Sequence, residues 1–195
     1  MIDLKKELVF YGAYHSNTGN VVIHVIFVPL ILFTAQAMLS QVALMEGTVG
    51  DFLPEALHVI PCLSQLQLTL GLAVTAFYTA YYLLLEPVLS IVVAPTLVAG
   101  MCLAQQVATM DNAMSICAFL HILSWVLQVQ VGHVMLEKRK PALMDSFMQS
   151  FVTAPLFVAL EVAFFFGYRR ELQREVDAEV KKIHQRWREE SAKAD

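Results

Sequence analysis

Two stretches of the chain combine imidazole with strongly apolar flanks. Tyr14-His15-Ser16-Asn17-Thr18-Gly19-Asn20, with His24 four residues on, opens one apolar run. Gln128-Val129-Gln130-Val131-Gly132-His133 closes another. An ionisable side chain in a membrane segment is costly, and it marks a functional site by default. Imidazole is also a preferred biological ligand for iron, zinc and copper. His15, His24, His121 and His133 lie in or beside such segments, so a membrane-embedded metal site is the leading expectation.

The spacings bear on which of these rings can meet. His15 and His24 are nine residues apart and would face opposite ways on one continuous helix. Asn17, Gly19 and Asn20 favour a break between them, which lets the two rings converge. The alternative is that His15 caps a helix at the interface while His24 bonds a neighbouring helix. His121 and Gln128, seven apart, share a helix face. His133 and Glu137, four apart, do so too, and the Glu137 carboxylate could receive the free N–H of His133 and fix its tautomer. His121 and His133 lie about 18 Å apart along an ideal helix. They cannot hold one ion unless the helix unwinds near Gly132 or there are two sites.

Glu161, in a later apolar run, reads as a protonated structural acid, a partner for a cation or imidazole, or a ligand. Lys138, Arg139 and Lys140 read either as a solvated helix end stopped by Pro141 or as cations that greet an anionic head group. Tyr11 and Tyr14 read as interfacial belt residues. His58 falls in a loop, and His184 reads as a solvated tail residue.

The elements that must position these side chains follow from composition. Of 195 residues, 57% are hydrophobic and 15% charged, against roughly 25% charged in ordinary globular domains. Between Glu7 and Glu137 there is no Lys or Arg, and only five acids: Glu46, Asp51, Glu55, Glu86 and Asp111. A net charge of −4, spread thinly, gives no nucleic-acid signature. Crossing a bilayer takes about 20 apolar residues. Residues 21–39, 66–85, 88–107 and 116–135 meet that requirement. Residues 147–167 make a fifth apolar segment, interrupted by Pro155.

All 13 basic residues sit before the first span, at 138–140 or in the tail. The positive-inside rule puts these three places on the cytosolic side. Four crossings satisfy that arrangement, and the fifth segment is then re-entrant or in-plane. The expected architecture is an all-α, multi-pass transmembrane bundle over residues 1–167, followed by a charged helix over 168–195. In that tail Leu172, Val176, Val180, Ile183 and Trp187 recur at helical steps, the mark of an amphipathic helix. Whether it lies on the membrane, packs on the bundle or self-associates is open.

Cys62, Cys102 and Cys117 are unpatterned, and a disulfide framework is not expected from them. No cleavable leader is expected either, since charges at 3–7 precede an apolar run with no small-residue cleavage site. The chain has no HExxH, clustered-histidine desaturase motif, GxSxG, Walker loop or GxGxxG.

One set of residues is more specific than any of these patterns. It runs Tyr11-Gly12-Ala13-Tyr14-His15, Asn17, Asn20, His24, Pro29, then Trp125, Gln128, Gly132-His133, Glu137, Arg139 and Pro141-Ala142-Leu143. Ala154-Pro155-Leu156-Phe157, Glu161 and Gly167-Tyr168 complete it. In order and spacing this set resembles the Mpo1-like family. Gln130-Val131 and Lys138 depart mildly from the family pattern.

The resemblance implies a multi-pass membrane enzyme of the endoplasmic reticulum with both termini cytosolic. It implies an Fe(2+)-dependent dioxygenase of fatty-acid α-oxidation, which shortens a long-chain 2-hydroxy fatty acid from phytosphingosine breakdown by one carbon. On that reading dioxygen is the co-substrate and His15, His24, His121 and His133 hold the iron. Glu137 and Glu161 join the catalytic set, and Lys138, Arg139, Lys140 and Tyr14 receive the substrate. Membrane lipid is a partner, nucleic acid is not, and a homo-oligomer is left open. The competing classes are a lipid-binding scaffold without activity and a haem protein ligated by His24 and a histidine of the fourth span.

Overall fold

A computed structural model describes residues 3–140 and 147–194, so Pro141, Ala142 and Leu143 lie outside the described residues. Asp3 starts α1 (Leu4–Tyr14) by accepting from Lys5 N at 3.0 Å. Asn17 starts α2 (Thr18–Leu39) in the same way, its Oδ1 accepting from Gly19 N at 2.9 Å. Such caps satisfy N–H groups that the first helical turn leaves without partners. Then come β1 (Ala43–Thr48), the single turn α3 (Pro61–Ser64), β2 (Gln67–Thr69), α4 (Leu70–Leu85) and α5 (Pro87–Val107). α6 (Ala113–Val126) continues as a π-helical segment, Leu127–Glu137. α7 (Phe147–Phe165) and α8 (Arg170–Ala194) complete the described chain.

Among the described residues the structure is all-α apart from one small antiparallel ribbon, in which β1 comes from the stretch between the first two expected spans and β2 from the start of the second. Leu66–Thr69 is thereby drawn out of the second expected span, leaving α4 with 16 residues, about 24 Å of helix. Among the described residues three helices are long and apolar enough to cross a membrane: Thr18–Leu39, Pro87–Val107 and Ala113–Glu137. A fourth arises if Phe151–Phe165 and Arg170–Lys193, bent by 114°, form one broken span. Leu84 on α4, Ile91 on α5, Phe119 on α6 and Phe165 on α7 are largely exposed, an arrangement suited to lipid rather than water.

The expected break at Pro155 is not where the chain turns. α7 runs through Pro155, and the reversal comes at Gly167, whose φ of +86° is freely open to glycine.

Two compact units divide the chain. One is Pro29–Trp125. Its centre is Gln36, whose Nε2 donates to Thr75 Oγ1 at 2.9 Å and to Leu97 O at 3.2 Å, tying α2, α4 and α5 together. Here Cys62 and Cys102 form a disulfide with a Cα–Cα distance of 5.8 Å. That corrects the expectation of three unlinked cysteines. The pairing depends on the 40–69 segment folding back onto α5, which no local spacing reports. Cys117 remains free and buried.

The second unit joins the two ends of the chain, residues up to Val28 with those from Val126. In it α8 packs along α1: Val176 and Val180 are buried, and Lys5 Nζ meets Glu175 Oε2 at 2.7 Å. Gly12 permits the approach, since a Cβ there would lie 3.1 Å from Val180 Cγ2. His184, expected to be solvated, instead meets Ala13 O through Nε2 at 2.8 Å.

Candidate metal centre

His15 sits where α1 ends, as its C-cap, and its Nδ1 lies 2.8 Å from Tyr11 O. His24 sits early in α2, its Nδ1 3.0 Å from Asn20 O. A ring N–H donated to the carbonyl four residues back fixes the tautomer and leaves Nε2 with a free lone pair. His133 comes from the π segment. All three are buried. Their ring centroids are 4.4, 4.8 and 5.0 Å apart, each pair edge-to-face. One ligand atom from each lies within 4.8 Å of the others, a cluster that can hold a metal ion.

The π winding explains how His133 reaches this place. Its hydrogen bonds run i to i+5, so residues five apart stack on one face. Gln128 and His133 are therefore buried together, whereas an α-helix would turn them well apart. Lys138 adopts a left-handed conformation (φ 56°) and ends the segment, with Lys138 N and Arg139 N both bonded to His133 O. Gly132 faces Asn20, and a Cβ there would overlap Asn20 Oδ1 and lie 3.5 Å from His24 Cε1.

Glu137 has a different task from the expected pairing with His133. Its Oε1 accepts from Asn17 N at 2.7 Å and from Asn20 Nδ2 at 3.2 Å. The carboxylate thus fastens the N-terminus of α2, where negative charge is favoured, to the end of the π segment. That holds His24 and His133 in register. Asn20 Nδ2 also reaches Tyr14 O at 3.4 Å.

His121 is not brought into the cluster. It lies in the Pro29–Trp125 unit with both ring nitrogens engaged. Trp125 Nε1 donates to Nε2 at 3.1 Å, and Nδ1 pairs with Thr34 Oγ1 at 2.9 Å. The Thr34 hydroxyl in turn reaches Leu30 O and Ile31 O. His121→Ala is expected to lower Tm by several degrees, because it strands the Trp125 indole N–H and removes the ring's bond to the buried Thr34 oxygen. Metal content should stay at the wild-type level, and loss of the metal in that variant would return His121 to the ligand set.

The remaining sequence candidates separate cleanly. Tyr14 packs on Phe10 and Trp187, with centroids at 5.4 and 5.5 Å, and so faces the tail helix. Arg139 lies 4.6 Å over the Trp187 ring, a cation–π contact. Lys138 and Lys140 are exposed just beyond the π segment, and Glu161 is partly buried on α7.

The residue that sequence reasoning passed over is Tyr11. Its ring stacks on His15 at 3.8 Å with planes 10° apart, and it rests against Phe157 at 5.0 Å. Burial, with the Glu161 and Glu137 carboxylates adding to it, pushes the phenol well above its usual range. It is therefore an O–H donor at neutral pH. Tyr11 Oη, Asn20 Oδ1 and His133 Nδ1 are buried without a hydrogen-bond partner. Each orphan costs about 1–3 kcal/mol, a cost that a bound ion or ligand can remove. The sequence signal for Tyr11 was its place one helical turn before His15.

Burial first, then the His24 and His133 imidazoles, hold His15 well below its ordinary 6.5. It is neutral at pH 7 and able to ligate. A proton is taken up more readily by the unfolded chain than by the folded one, so stability is intact above the ordinary histidine value and declines as pH falls below it. Protons compete with metal in the same direction. Metal retained after gel filtration should fall between about pH 7.5 and about pH 5, steeply below the free-imidazole range. Undiminished retention at the acid end would remove imidazole from the ligand set.

Long apolar helices carrying a buried three-imidazole cluster define a membrane protein with a metal-competent centre. The chain belongs to the Mpo1-like family: the family model described as 2-hydroxy-palmitic acid dioxygenase Mpo1-like matches residues 1–166. It is 33% identical over 189 residues to the 2-hydroxy-palmitic acid dioxygenase MPO1 of Saccharomyces cerevisiae, covering 93% of this chain and 92% of that relative. No solved structure matches it.

Proposed function

We propose that this chain is an iron(II)-dependent dioxygenase that shortens long-chain 2-hydroxy fatty acids by one carbon. The observation that carries the reading is the meeting of His15, His24 and His133, from separate parts of the chain, in one buried cluster. The fit to ferrous iron rests on the donor set: three neutral imidazoles, two of them with Nδ1 committed to backbone carbonyls. Imidazole suits iron, and three ligands leave positions open for a substrate and a gas.

The reaction balances without a further reductant. Cleaving the C1–C2 bond of RCH(OH)COOH with O2 gives RCOOH, CO2 and H2O, and the four electrons lost by carbon reduce dioxygen to the oxidation level of water. Iron held there would supply Lewis-acid binding of the substrate head and the redox chemistry of dioxygen. The chain's own residues bind, orient and exclude water. His15, His24 and His133 hold the ion. Glu137 fixes the backbone that carries two of them. Lys138 and Lys140, exposed just past the π segment, draw the carboxylate inward, and the acyl tail stays among apolar helices. Arg139 contributes from its place over Trp187, and Glu161 acts near Tyr11.

Membership of the Mpo1-like family supports a place in the endoplasmic reticulum membrane, the distribution of basic residues supports cytosolic termini, and the pathway is the α-oxidation that follows phytosphingosine breakdown. Haem is not favoured, because a flat macrocycle would have to pass between rings whose centroids lie 5.0 Å apart. The test is anaerobic reconstitution of purified protein with ferrous iron, then 2-hydroxypalmitate and air. Pentadecanoate and carbon dioxide in equal amounts support the reading. An iron-free, inactive preparation under these conditions removes it in favour of a lipid-associated scaffold.

A further inference from the structure

Among the described residues five buried side-chain atoms have no hydrogen-bond partner, and three of them, Tyr11 Oη, Asn20 Oδ1 and His133 Nδ1, belong to this one corner of the fold. A folded protein seldom leaves such atoms idle unless a ligand completes them. The ring nitrogen belongs to the metal cluster. The other two form a pair of opposite kind. Tyr11 Oη carries a proton to give, and Asn20 Oδ1 is an acceptor, since its amide nitrogen is already spent on Tyr14 O and Glu137 Oε1. Both are rigid. Tyr11 is wedged between His15 and Phe157, and Asn20 is fully buried against Gly132.

A 2-hydroxy acid head presents the matching pair, a carboxylate that accepts and a hydroxyl that donates. We propose that Tyr11 Oη and Asn20 Oδ1 form the head-group subsite of this centre. The Tyr11 hydroxyl donates to a carboxylate oxygen, and Asn20 Oδ1 accepts from the 2-hydroxyl. This rests on the dioxygenase reading above and adds the residues that select a hydroxylated acid over a plain one. A site built around a substrate hydroxyl discriminates strongly against analogues lacking it, because its own polar atom is then left unpaired.

Tyr11→Phe removes one atom and keeps the ring stack, so it separates this role from a packing role. The metal-free variant should melt at the wild-type temperature or above, because an unpartnered buried oxygen has gone. Iron content should be unchanged. With 2-hydroxypalmitate, kcat/KM should fall about 10- to 100-fold, the range for a hydrogen bond to a charged group. Asn20 is tested through the ligand, which leaves its structural bonds intact. 2-Methoxypalmitate lacks the hydroxyl proton and should displace 2-hydroxypalmitate from the iron-loaded wild type at least about tenfold less well than unlabelled substrate.

Unchanged kcat/KM in Tyr11→Phe, with an active wild type, overturns the subsite and leaves the dioxygenase reading standing. So does a visible charge-transfer band of the ferric protein that Tyr11→Phe abolishes, since it would make the phenol a ligand. Equal displacement by the methoxy acid overturns the role of Asn20. No turnover by the reconstituted wild type overturns both the activity and the subsite.

Discussion

Replacing His133 with alanine is expected to lower metal affinity by more than about 100-fold, beyond the 10- to 100-fold typical of residues that only support a ligand. Turnover should fall to background. On the proposed reading the ring supplies one of three donors, and its loss would leave two imidazoles that cannot enclose an ion. Excess ferrous iron should not restore activity. His15→Ala and His24→Ala should behave alike, and the double variants should be little worse than the singles, because the three act as a unit. The contrast with His121→Ala, which keeps its metal, is the internal control. Stoichiometric iron and normal turnover in His133→Ala would dismiss the cluster as the centre.

A comparably large effect is expected from a residue with no side chain. Gly132→Val should lower both Tm and activity, because the new Cβ claims the space of Asn20 Oδ1. Relieving that overlap moves Asn20, whose carbonyl accepts from the His24 ring and whose amide bonds Glu137. Overpacking of this kind costs about 1–3 kcal/mol, and a displacement of about 1 Å at a reacting centre costs about 100-fold in rate. Gly132→Ala should show the same signs in weaker form. Wild-type melting and metal content in both variants would show that the close approach to Asn20 is not required. Thermal melts and metal analysis on the same preparations give the answer.

Parts of this site were legible in the residues alone. The break that lets His15 and His24 converge follows from Asn17, and the structure has Asn17 capping α2 there. The apolar runs mark the helices at 21–39, 88–107 and 116–135 because lipid-facing segments need no polar face. What escaped is what depends on winding or on distant partners. An α-helical spacing argument cannot foresee the π segment, so Gln128 and His133 were not matched to each other. Glu137 looked like a partner for His133 because the two are four apart, and its real partners, Asn17 and Asn20, lie more than a hundred residues away. Cys62 and Cys102 were missed for the same reason. Tyr11 was read as a belt aromatic, because only the stacked ring shows what its hydroxyl lacks.

The unit that holds the cluster is assembled from both ends of the polypeptide, with Pro29–Trp125 between them in the chain. During synthesis the imidazoles of His15 and His24 therefore emerge early and wait for His133, more than a hundred residues later. An intermediate that ends before His133 has two of the three imidazoles at best. Metal capture by this cluster would consequently be a late event in biogenesis, and a nascent chain that ends before the π segment should bind no metal.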